Sequence, residues 1–372
     1  MPRRGAVHVS EPAVRIDGAR GEGGGQLLRT ALALAAIRRI PVEIHAIRAR
    51  RRTPGLQAQH LTAVSALAAI CGGRVEGAHL GSERLAFWPE EPRAGEYRFE
   101  IGTAGAATLV LQAILPALAL AAGASRVHLT GGTHVPWSPP ADYLREVLVP
   151  VLGDMGLRLG LAAPRWGFYP TGGGEIVVET PGRASLRALT RLRGPAPLRL
   201  RGVSAVANLP ASIARRQADR ALRRLEAAGY TAEIAEREAP AQDPGSFLLL
   251  VAEGDGPLGG FSALGRRGRR AEEVADEAVD RFLEFARTDA GCDPHLADQL
   301  VVPMALAAGT SRLTTSRVTA HLLTVLDVVG QLLGCPAQLT GEEGGPGALT
   351  LEGIGASRED GAEARGRGGA EA

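Results

Sequence analysis

The stretch Gly21-Glu22-Gly23-Gly24-Gly25-Gln26-Leu27-Leu28-Arg29 decides how this chain is read. It follows a strand-like run, Val14 to Asp17, and leads into apolar residues at Leu27, Leu28, Ala31, Leu32 and Ala35, whose spacing predicts a helix over 26–37. The stretch is therefore a glycine-rich strand-to-helix turn. Glycine lets backbone N–H groups approach a ligand, and a helix N-terminus favours anions, so such a turn can cradle phosphate. It can equally be a tight turn that needs glycine only for its dihedrals. Glu22 adds a candidate metal ligand or acid.

Beyond that turn the pattern predicts a strand over 41–48, an arginine-rich loop over 48–55, a second helix over 56–71, and strands over 74–80 and 84–88. The order is β-α-β-α-β-β, and it recurs. A strand over 97–105 ends in glycines and is followed by a helix over 106–122, a strand over 126–130, a loop over 131–139, a helix over 140–155, and strands over 157–162 and 174–180. Gln26 and His60 are 34 residues apart, and Ala107 and Asp142 are 35 apart, so the spacing of the two helices is kept from copy to copy. A third copy has helices over 295–308 and 318–334, a strand over 311–316, and closing strands over 337–341 and 348–352. Its second helix echoes the first copy: Ala320-His321-Leu322-Leu323-Thr324-Val325 against Gln59-His60-Leu61-Thr62-Ala63-Val64.

The third copy starts roughly one hundred residues late, which predicts an insertion over 186–287 with strands over 198–206 and 247–253 and helices over 211–228 and 272–287. The expected class is α/β (α+β): three β-α-β-α-β-β repeats form a large discontinuous domain, 1–185 and 288–354, and a smaller α/β domain, 186–287, is inserted. Residues 355–372, mostly Gly, Ala, Arg and Glu without periodicity, read as a disordered tail. On the insert, Glu272, Glu273, Asp276, Glu277, Asp280 and Glu284 read as a solvated helix face, and Arg266 to Arg270 as an exposed basic loop.

Composition narrows the function. At 372 residues the chain is long for one core, and a prior of about 150 residues per domain suggests two. Residues are 45% hydrophobic but only 4% aromatic, so the core is built from Ala, Leu and Val. The longest apolar run, 104–122, is interrupted by Gln112 and Pro116 and reads as a buried helix, so no membrane span is expected. Residues 1–10 lack an apolar h-region, and Cys71, Cys292 and Cys335 form no disulfide or zinc pattern; a cytoplasmic location is expected. The net charge of +2 excludes a bulk nucleic-acid coat. All 42 basic residues are arginine, so a Walker lysine, a lysine Schiff base and a lysyl-adenylate are excluded together.

Nucleotide chemistry here must therefore use arginines, backbone amides, metal and another nucleophile. His8, His45, His79 and His128 have no nearby partners in sequence and read as surface or core residues. His60 and His321 differ, because the repeat puts both at the start of a second helix. A histidine there is expected to be held neutral by the helix dipole, which makes His321 the best candidate to attack an activated phosphate. Arg29, Arg48, Arg50, Arg51 and Arg52 could neutralise charge on phosphoryl oxygens.

Several motifs together closely resemble the RNA 3'-terminal phosphate cyclase family, in order and over about 15–352. They are Gly21-Glu22-Gly23-Gly24-Gly25-Gln26 with Leu28-Arg29; Pro54-Gly55-Leu56 with Gln59-His60-Leu61-Thr62-Ala63; Gly102-Thr103-Ala104-Gly105 with Thr108-Leu109-Val110-Leu111-Gln112; Phe168-Tyr169-Pro170 with Gly172-Gly173-Gly174; Leu296-Ala297-Asp298-Gln299-Leu300; and His321-Leu322-Leu323-Thr324. The resemblance implies three such repeats, of the sort also found in enolpyruvyl transferases, and an inserted smaller domain. It implies conversion of an RNA 3'-phosphate to a 2',3'-cyclic phosphate with ATP and a divalent metal, Mg or Mn, the RNA end being the partner. His321 would take AMP from ATP, with pyrophosphate released. AMP would pass to the RNA 3'-phosphate, and the 2'-hydroxyl would then expel it. Glu22 would hold metal. Gln26, Gln112 and the segment His295, Leu296, Ala297, Asp298 and Gln299 would bind ATP, with Pro136 near the adenine. Arg29, Arg48 and Arg51 would face phosphates, and His60 would support the site.

Two positions depart from the family pattern. His295 stands where a tyrosine often stacks on adenine, and His134 stands where Asp or Asn is common. Two rival readings are a non-catalytic RNA-processing scaffold of the same family, against which the retention of His321 counts, and an enolpyruvyl transferase, against which the absence of lysine counts. The oligomeric state and the physiological RNA are left open.

Overall fold

The structure is a computed structural model that describes residues 13–192, 198–254 and 256–356. Of the tail expected over 355–372, residues 357–372 lie outside the described residues, as do His8 and the N-terminal segment over 1–12; Gly355 and Ala356 belong instead to the body, their N–H groups donating to the Ala307 and Leu306 carbonyls.

The first repeat comprises β1 (Val14–Asp17), α1 (Gly25–Arg38), β2 (Val42–His45), α2 (Ala58–Cys71), β3 (Arg74–Glu76) and β4 (Leu85–Trp88). The second comprises β5 (Glu96–Glu100), α3 (Ala107–Leu120), β6 (Ser125–Gly131), α4 (Ala141–Tyr143), a π-helical turn (Leu144–Leu148), α5 (Val149–Asp154), β7 (Gly160–Arg165) and β8 (Gly174–Thr180). The third begins with β9 (Thr190–Arg191). The chain then runs through β10 (Arg199–Ala207), α6 (Ser212–Ala227), β11 (Ala232–Glu238), β12 (Gly245–Gly254), β13 (Gly256–Leu264) and α7 (Ala271–Ala286). It returns to the third repeat with α8 (Pro294–Leu306), β14 (Ala308–Thr315), α9 (Ala320–Leu333), β15 (Ala337–Thr340) and β16 (Gly347–Ile354).

Each repeat makes its own four-stranded sheet, in the orders β1-β2-β4-β3, β5-β6-β8-β7 and β9-β14-β16-β15. In all three the first pair is parallel and the other two are antiparallel. The parallel pair in each case needs a crossover, supplied by α1, by α3, and by the long path from β9 through α8. The helices face inward and share one apolar core. Ten consecutive residues of α1, Leu27 to Ala36, are buried, so this helix is wrapped by neighbours on all sides rather than on one stripe.

The fourth sheet, β11-β10-β12-β13, carries α6 and α7 and has a separate core around Phe261, Phe282 and Phe285. The facing sides of α6 and α7 are joined by Arg216–Glu272, Arg220–Asp276 and Arg224–Asp280 ion pairs, so part of the expected solvated acidic face is paired.

Several expectations are corrected. Thr190–Arg191 pairs with Arg312 and Leu313, so the strand that opens the third sheet lies before the insertion, inside the span assigned to the insert. The sequence pattern showed neither β11 nor β13. In β11, Ala232 and Ile234 alternate with glutamates on an edge, giving a weak apolar signal. In β13 the glycines hide the strand. A Cβ on Gly259 would lie 2.6 Å from Asp293, and one on Gly260 would lie 2.6 Å from Tyr143, so β13 must be thin where it meets the large core. The strand expected over 157–162 runs instead from Gly160 to Arg165. The helix expected over 140–155 contains a π turn just before Pro150, whose missing N–H and ring prevent regular continuation.

Candidate functional site

The turn after β1 is held by the helix that carries His321. Gly21 has φ of 57°, and a Cβ there would lie 2.3 Å from Thr324 Oγ1. The next N–H, that of Glu22, donates to the same hydroxyl at 3.1 Å, and the hydroxyl donates onward to the Ala320 carbonyl at 2.7 Å. Thr324 thus docks the turn one helical turn beyond His321. In the sequence Thr324 stands out only as the last residue of His321-Leu322-Leu323-Thr324. Its spacing of three from His321 on a helix was the available signal.

This docking sets Glu22 beside His321. His321 Nδ1 is buried 3.4 Å from Glu22 Oε2, an ion-pair contact rather than a well-aligned hydrogen bond. Because the His321 side chain is still 43% exposed, its open edge carries Nε2. Glu22 raises the His321 pKa, and Asp298 adds to the effect; burial and Arg29 oppose it. The expectation that the helix dipole holds this imidazole neutral meets an opposing influence: the Glu22 carboxylate facing Nδ1 raises the ring's pKa. Burial pushes Glu22 upward, but His321, Arg51 and Arg29 outweigh it and leave its pKa lowered. Arg51 Nη2 bonds Glu22 Oε2 at 2.5 Å.

Arg29 is buried, and among the described residues no carboxylate lies within ion-pair distance of it; its Nη2 donates to Gln26 Oε1 at 3.4 Å. Burial depresses its pKa to about 10, against the pull of Glu22 and Asp298. Such a cation calls for an anionic ligand. The N-terminus of α1, with no side-chain cap at Gly24, adds free amides beside it. Asp298 is pushed up to about 8, first by burial and then by Asp293, while His321 and Arg29 pull it down. Gln26, Arg29, Gln112, Asp298 and Gln299 line one pocket together with apolar residues that include Leu148, Leu152 and Leu306, with about 70 Å³ of free volume. Gln112 Nε2 donates to Gln299 Oε1 at 2.5 Å, joining α3 to α8.

Other expected site residues play different parts. His60 is 3% exposed, and its Nδ1 accepts the Gln57 N–H at 3.1 Å as part of a capping box. That bond fixes the neutral tautomer with the proton on Nε2, and burial with Arg29 and Arg48 depresses the pKa to about 3. A Cβ on Gly25 would lie 2.3 Å from His60 Nε2, so His60 backs the glycine turn. Arg48 donates to the carbonyls of Thr53 and Gly55, both at 2.7 Å, and so closes its own loop. Arg50 packs over Gly23 and Arg52 is exposed. The side chains of Leu296 and Ala297 belong to the core, so within the segment expected to bind the nucleotide these two residues could offer only backbone. His295 is exposed at the start of α8, where Asp293 caps the helix. Pro136 is exposed on the loop after β6. His134 is fully buried, 3.0 Å from Asp142 and stacked 3.9 Å from Trp166, so this departure is a structural pair.

Among the described residues no helix is long and apolar enough to cross a membrane. The described residues also hold no group of three or more His, Cys, Asp or Glu side chains arranged for a metal ion.

Residues 20–339 match the family model described as RNA 3'-terminal phosphate cyclase. A protein of that name from Methylococcus capsulatus is 48% identical over 349 residues, covering 91% of this chain and 96% of the relative. One from Pyrobaculum neutrophilum is 44% identical over 346 residues, covering 92% and 99%. A solved enolpyruvyl transferase, NikO from Streptomyces tendae, aligns at 14% identity with a TM-score of 0.37, covering 93% of this chain and 49% of that one, too distant to inform fold or function.

Proposed function

The chain belongs to the RNA 3'-terminal phosphate cyclase family, and from that premise we propose that His321 is the residue through which it activates an RNA end. The enzyme uses ATP to convert an RNA 3'-terminal phosphate to a 2',3'-cyclic phosphate. His321 Nε2 attacks the α-phosphorus of ATP, forming an N–P bond as the bond to pyrophosphate breaks. An oxygen of the RNA 3'-phosphate then attacks the same phosphorus and frees the histidine. The neighbouring 2'-hydroxyl, losing its proton, attacks the RNA phosphorus and expels AMP. Adenylylation turns a poor leaving oxygen into a good one.

The observation that carries this reading is the contact of His321 Nδ1 with Glu22, which leaves Nε2 as the open nitrogen. Glu22 would face the Nδ1–H and stabilise the positive ring of the adduct. Arg29 would meet phosphate oxygens without first leaving a carboxylate partner, and Arg51 would approach the same charge from the loop over the turn. Gln26, Gln112, Asp298 and Gln299 would orient the nucleotide at the pocket they line, and the exposed ring of His295 with Pro136 would meet the adenine. His60 would hold the glycine turn rather than carry AMP.

A divalent metal fits this donor set in one way. Glu22 offers one carboxylate, and Mg²⁺ is commonly held by one or two carboxylates together with substrate phosphates and water. When bound it would neutralise charge on the phosphates. Arg51 would then have to yield part of Glu22. We further propose that the insertion expected over 186–287, less the segment through Thr190–Arg191 that belongs to the third repeat's sheet, serves as a separate small domain on the three-repeat body.

Incubation with labelled ATP should leave an acid-labile, alkali-stable AMP on the protein, and His321→Ala should abolish it. A folded protein that takes no label with either Mg²⁺ or Mn²⁺ would refute the mechanism.

A further inference from the structure

Aromatic residues make up only 4% of this chain, yet two stand nearly free in water: Trp137 is 99% exposed and Tyr169 is 74% exposed. Tryptophan is on average highly buried, so complete exposure in an aromatic-poor protein calls for a reason. Trp137 also has φ of 67°, a backbone region that bulky side chains avoid.

The loop beneath it is firmly built. The N–H groups of Thr133 and His134 both donate to the Gly167 carbonyl at 3.0 Å, and the Gly167 N–H donates to Thr133 Oγ1 at 2.9 Å. Ser138 Oγ closes the turn on the Val135 carbonyl at 3.0 Å. These bonds join the loop of Trp137 directly to the loop of Tyr169. From the His134–Gly167 contact the chain needs three residues to reach Trp137 and two to reach Tyr169, so their backbones are at most about 23 Å apart, the span of a few nucleotides.

The same loops lean on the site. Val135 packs with Ala106 and Leu109 at the start of α3, and Gln112, one turn beyond Leu109, is the residue bonded to Gln299. The Ala106 N–H donates to Gln59 Oε1 at 2.8 Å, and the next residue, His60, backs Gly25. Neither aromatic lines the pocket of Gln26, Arg29, Gln112, Asp298 and Gln299.

We propose that Trp137 and Tyr169 form a stacking platform for the unpaired nucleobases next to the RNA 3'-terminal phosphate. This rests on the cyclase reading above. Flat aromatic faces held rigidly in water suit bases of any sequence, because every base offers a π-face, and that is what an enzyme acting on an RNA end of any sequence needs. Pro136, Ser138 and Pro139 around Trp137 are uncharged and conformationally restricted, so little ordering is needed when a base arrives.

The test compares wild type, Trp137→Ala, Trp137→Phe and Tyr169→Ala in two assays: AMP labelling with ATP alone, and single-turnover cyclisation over a range of concentrations of a 3'-phosphate RNA oligonucleotide. A third measurement titrates tryptophan fluorescence with the same RNA lacking its 3'-phosphate and without ATP. AMP labelling should be unchanged. The RNA concentration for half-maximal rate should rise about tenfold in Trp137→Ala, the scale of one lost base–aromatic stack, and should be largely restored in Trp137→Phe. That difference should vanish on RNA whose terminal nucleosides are abasic, and wild-type fluorescence should be quenched by RNA where Trp137→Phe is not. Unchanged RNA dependence in Trp137→Ala with normal labelling would overturn the proposal. So would reduced labelling with ATP alone, which would assign the ring to adenine. If wild type fails to label while RNA still quenches Trp137, the mechanism falls and the platform stands.

Discussion

Glu22 Oε2 lies 3.4 Å from His321 Nδ1, joining the first repeat's glycine turn to the third repeat's second helix. The carboxylate raises the pKa of the nitrogen base that must be neutral to attack. Single-turnover AMP labelling should therefore rise with pH through the His321 titration, because the protonated ring has no lone pair at Nε2. Removing the charge in Glu22→Gln should move that rise to lower pH, while the plateau falls by tenfold or more from loss of charge support to the adduct. An unmoved or alkaline-shifted midpoint would disprove the coupling.

Thr324 holds this pair together through one hydroxyl that accepts from Glu22 and donates to Ala320. Thr324→Val keeps the shape but leaves the Glu22 N–H without its acceptor. The expected loss is about 1–3 kcal/mol of stability, read in denaturant midpoints, together with slower AMP labelling and a lower His321 midpoint. Thr324→Ser should restore the rate and the midpoint. If Val labels like wild type over the whole pH range, Thr324 is only a packing residue.

Arg29 should trade stability for function. A buried guanidinium with no carboxylate within ion-pair distance among the described residues destabilises the free enzyme, so Arg29→Met should fold at least as stably, gaining about 1–2 kcal/mol. The same change should abolish AMP labelling and remove most of the thermal stabilisation that ATP gives wild type. Melting curves with and without ATP decide it, and a Met variant that is less stable without ligand would show that Arg29 is held by partners in the resting protein.

Much of this architecture was legible because it repeats. The strands Val14–Asp17 and Gly174–Thr180 fall where the sequence pattern predicts them, because a glycine-rich turn bounds each one, after the first and before the second. The two-residue β9 left no periodicity to detect, and β11 and β13 were hidden by edge polarity and by glycines needed for close approach. At the site, the sequence marked Glu22, Arg29 and His321 as chemically apt. It could not show that Glu22 faces His321, that Arg48 is spent on Thr53 and Gly55, or that Leu296 and Ala297 turn into the core. Those facts depend on which helix faces meet, which no local pattern records.

His60 offers the last separation of structure from chemistry. Its folded pKa is depressed to about 3 against an ordinary value near 6.5, so the unfolded chain binds a proton that the folded protein refuses. Stability is therefore full above about pH 6.5 and declines as pH falls toward 3, with about 2 kcal/mol lost between pH 7 and pH 5 from this residue alone. His60→Gln removes the titrating group, so its denaturation midpoint should be lower at pH 7, where the Gln57 cap is weakened, but should fall less steeply on acidification. The buried His134, also lowered, keeps some slope in both proteins. Because His60 stays neutral throughout, His60→Gln should still form the AMP adduct with the wild-type pH midpoint, at a reduced rate. Loss of the adduct in His60→Gln with retention in His321→Ala would reverse the assignment of the two histidines.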